Sequence, residues 1–348
     1  LTSKDLKTNA CVTPAKPVPK FIREALNEVH EEVSSRYYGC GLVVPECLEN
    51  CSILDLGSGS GRDCYMLSKL VGEKGSITGI DMTEEQVWGV KYIDYHTKKF
   101  GYQRPNVEFS QGYIENLNAR GPQSAEASFV FVRCIVADGG EMYFSDVYAN
   151  HAITEDLKKN KVLWGECISG ALYWKELFQI AEEIGFSSPR LVSSSFITVD
   201  NKELEELLGD YKFVSATFRL FKVPKNKVQE KSLVIYDGGI TGFKDEIQFD
   251  VNFTFKVQNA RASCELYQAV CQILVNCQQV RCLFDGSEIP HREAMVNPFR
   301  DAEQQRNVSE MPCCLVVSFD RFILANPIGF NVKNIPVLIQ YLINCLLF

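Results

Sequence analysis

Between residues 52 and 136 the chain alternates short apolar runs with longer segments of helical spacing. Ser52-Ile53-Leu54-Asp55-Leu56 is a brief apolar run that ends in Gly57-Ser58-Gly59-Ser60-Gly61. A run this short, closed by glycines, predicts a buried strand. Residues 62–71 predict a helix, 76–80 a second strand ending on Asp81, 84–98 a helix, 107–111 a third strand and 129–136 a fourth. Strand-helix alternation of this kind predicts a parallel sheet with helices on both faces. Ahead of it, residues 1–20 are polar with Pro14, Pro17 and Pro19, an extended lead-in. Residues 21–35 then place Phe21, Ile22, Leu26 and Val29 on one helical face. Beyond residue 150 the pattern predicts a helix over 173–184 and strands over 190–199 and 213–222, and after Lys256 no period is clear. These shifts divide the chain into 1–51, 52–150, 151–256 and 257–348. The last apolar run, 335–348, includes Gln340 and Asn344. It is shorter than the ~20 residues a bilayer span needs, so a buried or interfacial helix is expected and no transmembrane span.

Composition narrows the class. The chain has 348 residues, 46% of them hydrophobic and 23% charged, as in a soluble globular protein. A collagen, a repeat array and a disordered chain are excluded. Net charge is −8, and no Lys/Arg-rich run offers a phosphate-binding stripe, so no nucleic-acid partner is expected. There are 14 cysteines, in a long chain whose first thirty residues hold no apolar stretch of signal-peptide length. That combination favours a reducing compartment with free or metal-reactive thiols over a disulfide framework.

Two features carry chemistry. In the first, a strand delivers Asp55 toward its carboxyl end, the glycines Gly57, Gly59 and Gly61 let the backbone approach a ligand, and a helix N-terminus follows. The spacing G-x-G-x-G is one residue short of the dinucleotide fingerprint G-x-G-x-x-G. It suits S-adenosylmethionine better than NAD, because that ligand has no pyrophosphate to seat but has an amino group to meet a carboxylate. Asp81 stands where an acid would meet the ribose hydroxyls, and Gly112-Tyr113-Ile114-Glu115 would frame the adenine. The second feature is the cysteine set. Cys40 lies in a Gly-rich loop, Cys134 ends the fourth expected strand, and Cys167 lies in Trp164-Gly165-Glu166-Cys167. None has C-x-x-C spacing, and each also reads as a small buried hydrophobe. Converging thiolates would select a soft ion over magnesium or calcium.

Several stretches together resemble the animal arsenite methyltransferases. They are Cys11-Val12-Thr13, Arg36-Tyr37-Tyr38-Gly39-Cys40-Gly41, the run from Ile53 through Gly61 to Cys64, Gly79-Ile80-Asp81-Met82-Thr83, Tyr143-Phe144-Ser145-Asp146-Val147-Tyr148 and Trp164-Gly165-Glu166-Cys167. The likeness runs from about Thr2 to about Lys256. It implies an α/β, Rossmann-like class I S-adenosylmethionine-dependent methyltransferase sheet with helices on both faces, plus a smaller α+β C-terminal region. It also implies transfer of methyl groups to trivalent arsenic, held as arsenite or its glutathione complex, in a cytosolic enzyme that uses glutathione or thioredoxin as reductant. Carried over by position, Cys40, Cys134 and Cys167 would hold arsenic and Cys11 would join the thiol relay. Asp55, Gly57, Gly59, Gly61, Asp81, Met82, Ile114 and Glu115 would line the cofactor site.

The chain is expected to depart from that pattern in three places, the first being the absence of the N-terminal extension that usually precedes Leu1. After Lys256 the family's polar tail gives way to Cys264, Cys271, Cys277, Cys282 and an apolar end. In addition, residues 129–136 and 141–147 are parallel neighbours in the family, yet only Ala137-Asp138-Gly139-Gly140 separates them here. A parallel crossover takes a dozen or more residues, whereas a D-G-G junction signals a hairpin. The expectation is that Cys134 is displaced, leaving an impaired form that binds S-adenosylmethionine or arsenite better than it turns over. A methyltransferase of another small molecule is the remaining alternative.

Overall fold

The computed structural model describes residues 8, 18–37, 42–82, 86–112, 140–166, 168–222, 233–236, 238–257, 280–283, 295–308 and 321–326. In chain order, helices α1 (Lys20–Asn27) and α2 (Glu31–Ser35) precede β1 (Ser52–Leu56), α3 (Arg62–Val71) and β2 (Ser76–Asp81). A 3-10 turn (Gln86–Tyr92), α4 (Ile93–Phe100), β3 (Val107–Gln111) and β4 (Glu141–Ala149) follow. Next come α5 (Glu155–Lys158), α6 (Lys161–Gly165), β5 (Leu172–Tyr173), α7 (Trp174–Ile184), β6 (Arg190–Ile197), α8 (Lys202–Leu208) and β7 (Phe213–Phe221). The described chain closes with β8 (Leu233–Tyr236), β9 (Glu246–Asp250), β10 (Phe253–Lys256), β11 (Val280–Leu283), α9 (Pro298–Val308) and β12 (Arg321–Asn326).

The central sheet has the order β3-β2-β1-β12-β4-β7-β6, with β5 paired to the end of β4. Strands β1, β2 and β3 are parallel, as alternation with helices requires. The rest is mixed. β12 runs antiparallel to both β1 and β4, and β7 antiparallel to both β4 and β6, so β1, β4 and β6 all point the same way. The sheet crosses the boundary expected at residue 150, because β4 pairs with β7 from Glu141↔Phe221 to Ala149↔Phe213. Residues 129–136, expected to form the strand before β4, lie outside the described residues. One edge of β4 is taken by β7, and the other by β12 over 141–145 and by β5 at Tyr148 and Ala149. The terminal run 335–348 also lies outside them, and no helix among the described residues is long and apolar enough to cross a membrane.

Burial explains the elements. On one face α1, α2 and α3 close over β1 and β2 through Ile22, Val33, Leu67, Val71, Ile53 and Ile77. On the other, Trp174, Leu177 and Phe178 of α7 pack on Met142, Phe144 and Phe218. Helix ends carry their local signals: Gly101 and Gly185 close α4 and α7 in the left-handed conformation, and Asn160 and Asn201 cap α6 and α8 by accepting backbone N–H groups.

Two expected helices are modified by tertiary contacts. The segment 21–35 is not one helix. It breaks at residues 28–30, where His30 Nδ1 accepts the Glu32 N–H at 3.1 Å and the His30 N–H donates to His96 Nε2 at 3.1 Å. The segment expected over 84–98 is a 3-10 turn followed by α4. Its Gly89 backs so closely on the neighbouring loop that an added Cβ would lie 3.0 Å from both Phe109 Cζ and the Ser60 carbonyl.

Candidate functional site

β1 and β2 end side by side, and the chain leaving β1 turns back over their ends. The turn needs backbone that only glycine adopts easily, with φ of 82° at Gly57, 51° at Gly59 and 81° at Gly61. Four of its amides are spent within the protein. The Gly57 and Ser58 N–H groups donate to the Ile80 carbonyl at 2.8 and 2.9 Å, Gly61 N–H to Ser58 O at 3.0 Å, and Gly59 N–H to Asp81 Oδ2 at 2.9 Å. A pyrophosphate is held in such loops by converging backbone N–H groups, so this turn is poorly furnished for a dinucleotide. It suits a ligand met by an acid and by close backbone approach.

The two acids are placed differently. Asp81 is half-buried at the strand end, with one oxygen fixed by Gly59. Asp55 is fully buried under α3, where its Oδ2 accepts the Cys64 thiol at 3.0 Å. Burial first, then the Asp55 charge, pushes the Cys64 thiol well above its ordinary range, so it stays a donor. One oxygen of Asp55 is thus met from α3. Met82 is half-buried beyond Asp81, and its carbonyl accepts Gln111 Nε2 at 3.2 Å. Ile114 and Glu115 lie outside the described residues.

Residues that sequence reasoning passed over hold the turn in place. Phe109 lies against three glycines, leaving 2.7 Å to a Cβ on Gly61 or on Gly79. Ser60 Oγ donates to Val33 O at 3.0 Å, tying the turn to α2. The Tyr65 hydroxyl donates to Gly89 O, and its ring stacks 3.6 Å from that of His96. Burial lowers His96 to about 4, so the ring is neutral near pH 7. The signal for this group lay in the polar rings at 65 and 96 on otherwise apolar helix faces.

The four expected thiols, Cys11, Cys40, Cys134 and Cys167, all lie outside the described residues. Their neighbours do not. Arg62, the first residue of α3, holds its Cζ 3.0 Å from the centroid of the Tyr37 ring, so the chain enters the Cys40 loop beside the glycine turn. Glu166 and Ile168, on either side of Cys167, are buried between α6 and β5, and β5 pairs with the carboxyl end of β4 at Tyr148↔Leu172. Thr8, near Cys11, bridges to Val199, just past the carboxyl end of β6. Because β1, β4 and β6 are co-directional, these three flanks share the edge that bears the glycine turn. Gly140, the described residue nearest Cys134, lies at the opposite edge, where β4 begins and Lys222 N–H donates to Gly140 O at 3.0 Å. Of the cysteines whose side chains are described, Cys51 and Cys64 are free, as expected, and Cys47 is disulfide-bonded, against that expectation.

At the far end of β4 lies a buried charge cluster. Arg219 donates through Nε to Glu141 Oε1 at 2.7 Å and through Nη1 to Phe249 O at 3.2 Å, and its Nη2 is 3.1 Å from Glu46 Oε2. Burial raises Glu141 to about 7 against the pull of Arg219.

Comparison with known proteins agrees with this geometry. Residues 48–185 match a methyltransferase domain and 229–317 match the arsenite methyltransferase C-terminal domain. The mouse arsenite methyltransferase is 58% identical over 287 residues, 77% of this chain and 76% of the relative. The chain belongs to the arsenite methyltransferase family. The human arsenite methyltransferase is 57% identical over 272 residues, covering 73% of this chain and 72% of that protein. An arsenic(III) S-adenosylmethionine methyltransferase from Chlamydomonas reinhardtii superposes with a TM-score of 0.68 at 32% identity, over 77% of this chain and 97% of that one. The family's C-terminal model reaches residue 317, past the Lys256 point at which the likeness in sequence was expected to end.

Proposed function

We propose that this chain transfers methyl groups from S-adenosylmethionine to trivalent arsenic, giving mono- and dimethylated arsenicals. The observation that carries the reading is the shared edge: the flanks of Cys11, Cys40 and Cys167 lie where the glycine turn and Asp81 lie. The turn's committed amides fit a cofactor without phosphates, and Asp81 and the backbone around Gly57 to Gly61 would hold it. When bound, S-adenosylmethionine supplies an electrophilic sulfonium methyl.

The chain's own share is positional. Thiolates of Cys40 and Cys167, with Cys11 in reserve, hold arsenic stripped of water with its lone pair turned inward. No general base is required, and fixing two reactants in line accounts for the rate. Methylation through the lone pair would leave arsenic formally pentavalent; two thiols would return it to the trivalent state as a disulfide, which two equivalents of glutathione, or thioredoxin, would reduce, a supply that fits the cytosol.

The test is methylation of arsenite by the purified chain with labelled S-adenosylmethionine and glutathione. Cys40→Ser and Cys167→Ser should each lose about a hundredfold or more in rate with cofactor affinity kept. Near-normal rates in both would overturn the thiolate assignment. One observation favours a second reading, a binder with impaired turnover: the sheet position between β1 and β4 is held by β12, and the chain enters β4 from the edge away from the turn. Binding of both ligands without methylarsenical product would select it.

A further inference from the structure

The position of β12 has a logic of its own. β1 and β4 are co-directional strands that leave one strand position between them, and the segment filling it comes from far along the chain and runs the other way. The match is continuous on both edges, from Ser52↔Asn326 to Leu56↔Phe322 on β1, and from Arg321↔Ser145 to Ala325↔Glu141 on β4. The segment Phe322-Ile323-Leu324-Ala325 is apolar and β-prone, as suits a strand with a partner on each edge. The tail that carries it leaves a helix already docked on the sheet, since Ser194 Oγ of β6 donates to Pro298 O at 2.8 Å and to Asp301 Oδ2 at 2.6 Å in α9.

We propose that the gap between β1 and β4 is a strand-acceptor slot for an extended apolar peptide, filled in cis by the chain's own Arg321–Asn326, and that the sheet closes only when this donor is seated. Besides the donor, β1 pairs with β2, and β4 pairs with β7 along its outer edge and with β5 at Tyr148 and Ala149 only, so without the donor the inner edges of 52–56 and 141–145 would carry unpaired backbone groups among buried side chains. Leu56, which pairs with Phe322, leads directly into Gly57, so the donor braces the strand that delivers the glycine turn. The 12 residues between Val308 and Arg321 can reach about 40 Å when extended, and a tether of that length gives an effective concentration on the order of millimolar. A peptide of the same sequence added in trans must therefore reach about millimolar levels to compete with the tethered strand.

The proposal goes beyond the arsenic reading and needs no ligand for its test, so either can fail without the other. Hydrogen exchange read by mass spectrometry compares the full-length chain with its Leu324→Pro variant, in which one ladder N–H is lost from a strand bonded on both sides. In the unaltered chain, 321–326 should be protected as strongly as β4. In the variant, 52–56 and 141–145 should lose at least about tenfold in protection while 213–221 keeps theirs, and a synthetic peptide of residues 318–327 at about millimolar concentration should restore it. Unchanged protection at 52–56 and 141–145, or exchange of 321–326 at unfolded rates in the unaltered chain, would overturn the slot. If Leu324→Pro unfolds the whole chain, the full-length Ser145→Cys/Arg321→Cys double variant decides, because facing antiparallel residues lie within disulfide reach. A bond between those two positions within one chain is the expected result. Its absence, or its formation only between two chains, would overturn filling in cis.

Discussion

On the β3-β2-β1 side of the sheet each strand reaches the next through a segment that packs back on it, and the result is parallel, local and registered by the glycine turn. On the β12-β4-β7-β6 side the strands run alternately, and two of them come from beyond residue 210. The cofactor half is thus built from neighbours in sequence. The other half is assembled over long range, held by a buried guanidinium between two carboxylates and closed by a strand from the tail. Local halves advertise themselves in a sequence, and long-range halves do not.

The largest expected effect breaks the long-range half. Arg219 touches Glu141 of β4, Glu46 of the segment before β1 and the Phe249 carbonyl of β9, so it joins three regions at a point 2% exposed. Arg219→Met should cost about 3–5 kcal/mol in urea unfolding, because two carboxylates are left buried without their cation. A loss below about 1 kcal/mol would show that the cluster does not fasten the two halves together.

A smaller effect sharpens the local half. His96 is lowered to about 4 by burial, from an ordinary 6.5, so the unfolded chain binds the proton first. Its contribution to stability is complete above pH 6.5 and is lost as pH falls toward 4, by up to about 3 kcal/mol. His96→Phe keeps a ring against Tyr65 and removes the titration, so the stability difference between variant and parent should change across that window. A difference independent of pH there would exclude His96 as the acid-sensitive group.

The contrast also explains what the sequence made legible. The strand over 107–111 and the helix over 62–71 were readable to the residue, because each has a glycine or a polar break at its ends and one clear period between. Asp81 was legible by its place after a strand. The bond from the Cys64 thiol to Asp55 was not, since no local pattern pairs a strand residue with the third residue of the following helix. The break in 21–35 depends on His96, and the mixed direction of the sheet depends on pairing with residues 213–221 and 321–326. No local pattern encodes such partners.

Asp81 gives the next test of the local half. Its carboxylate is held by the Gly59 N–H, so Asp81→Ala removes a tie within the turn and, on the proposed reading, the acceptor for the ribose hydroxyls. Cofactor affinity should fall by about 1.5–3 kcal/mol, tenfold or more, with arsenite binding kept. Calorimetry showing equal losses for both ligands would mean that the two halves do not work separately.

The smallest expected effect is at Cys134, and it decides how the thiols divide between the halves. The nearest described residue, Gly140, lies at the edge of the sheet away from the glycine turn, whereas Tyr37, Glu166 and Ile168 bring the chain to the edge that holds it. The strand position beside β1, from which a parallel strand would deliver a residue to that edge, is occupied by Arg321–Asn326. On the proposed reading, arsenic held by the remaining thiols keeps its site when Cys134 is changed. Cys134→Ser should alter methyl transfer by less than about threefold, under 1 kcal/mol, against a hundredfold at Cys40 and Cys167. A loss at Cys134 equal to theirs would place all three thiols on one arsenic and move the chain's entry to β4 back toward the cofactor edge.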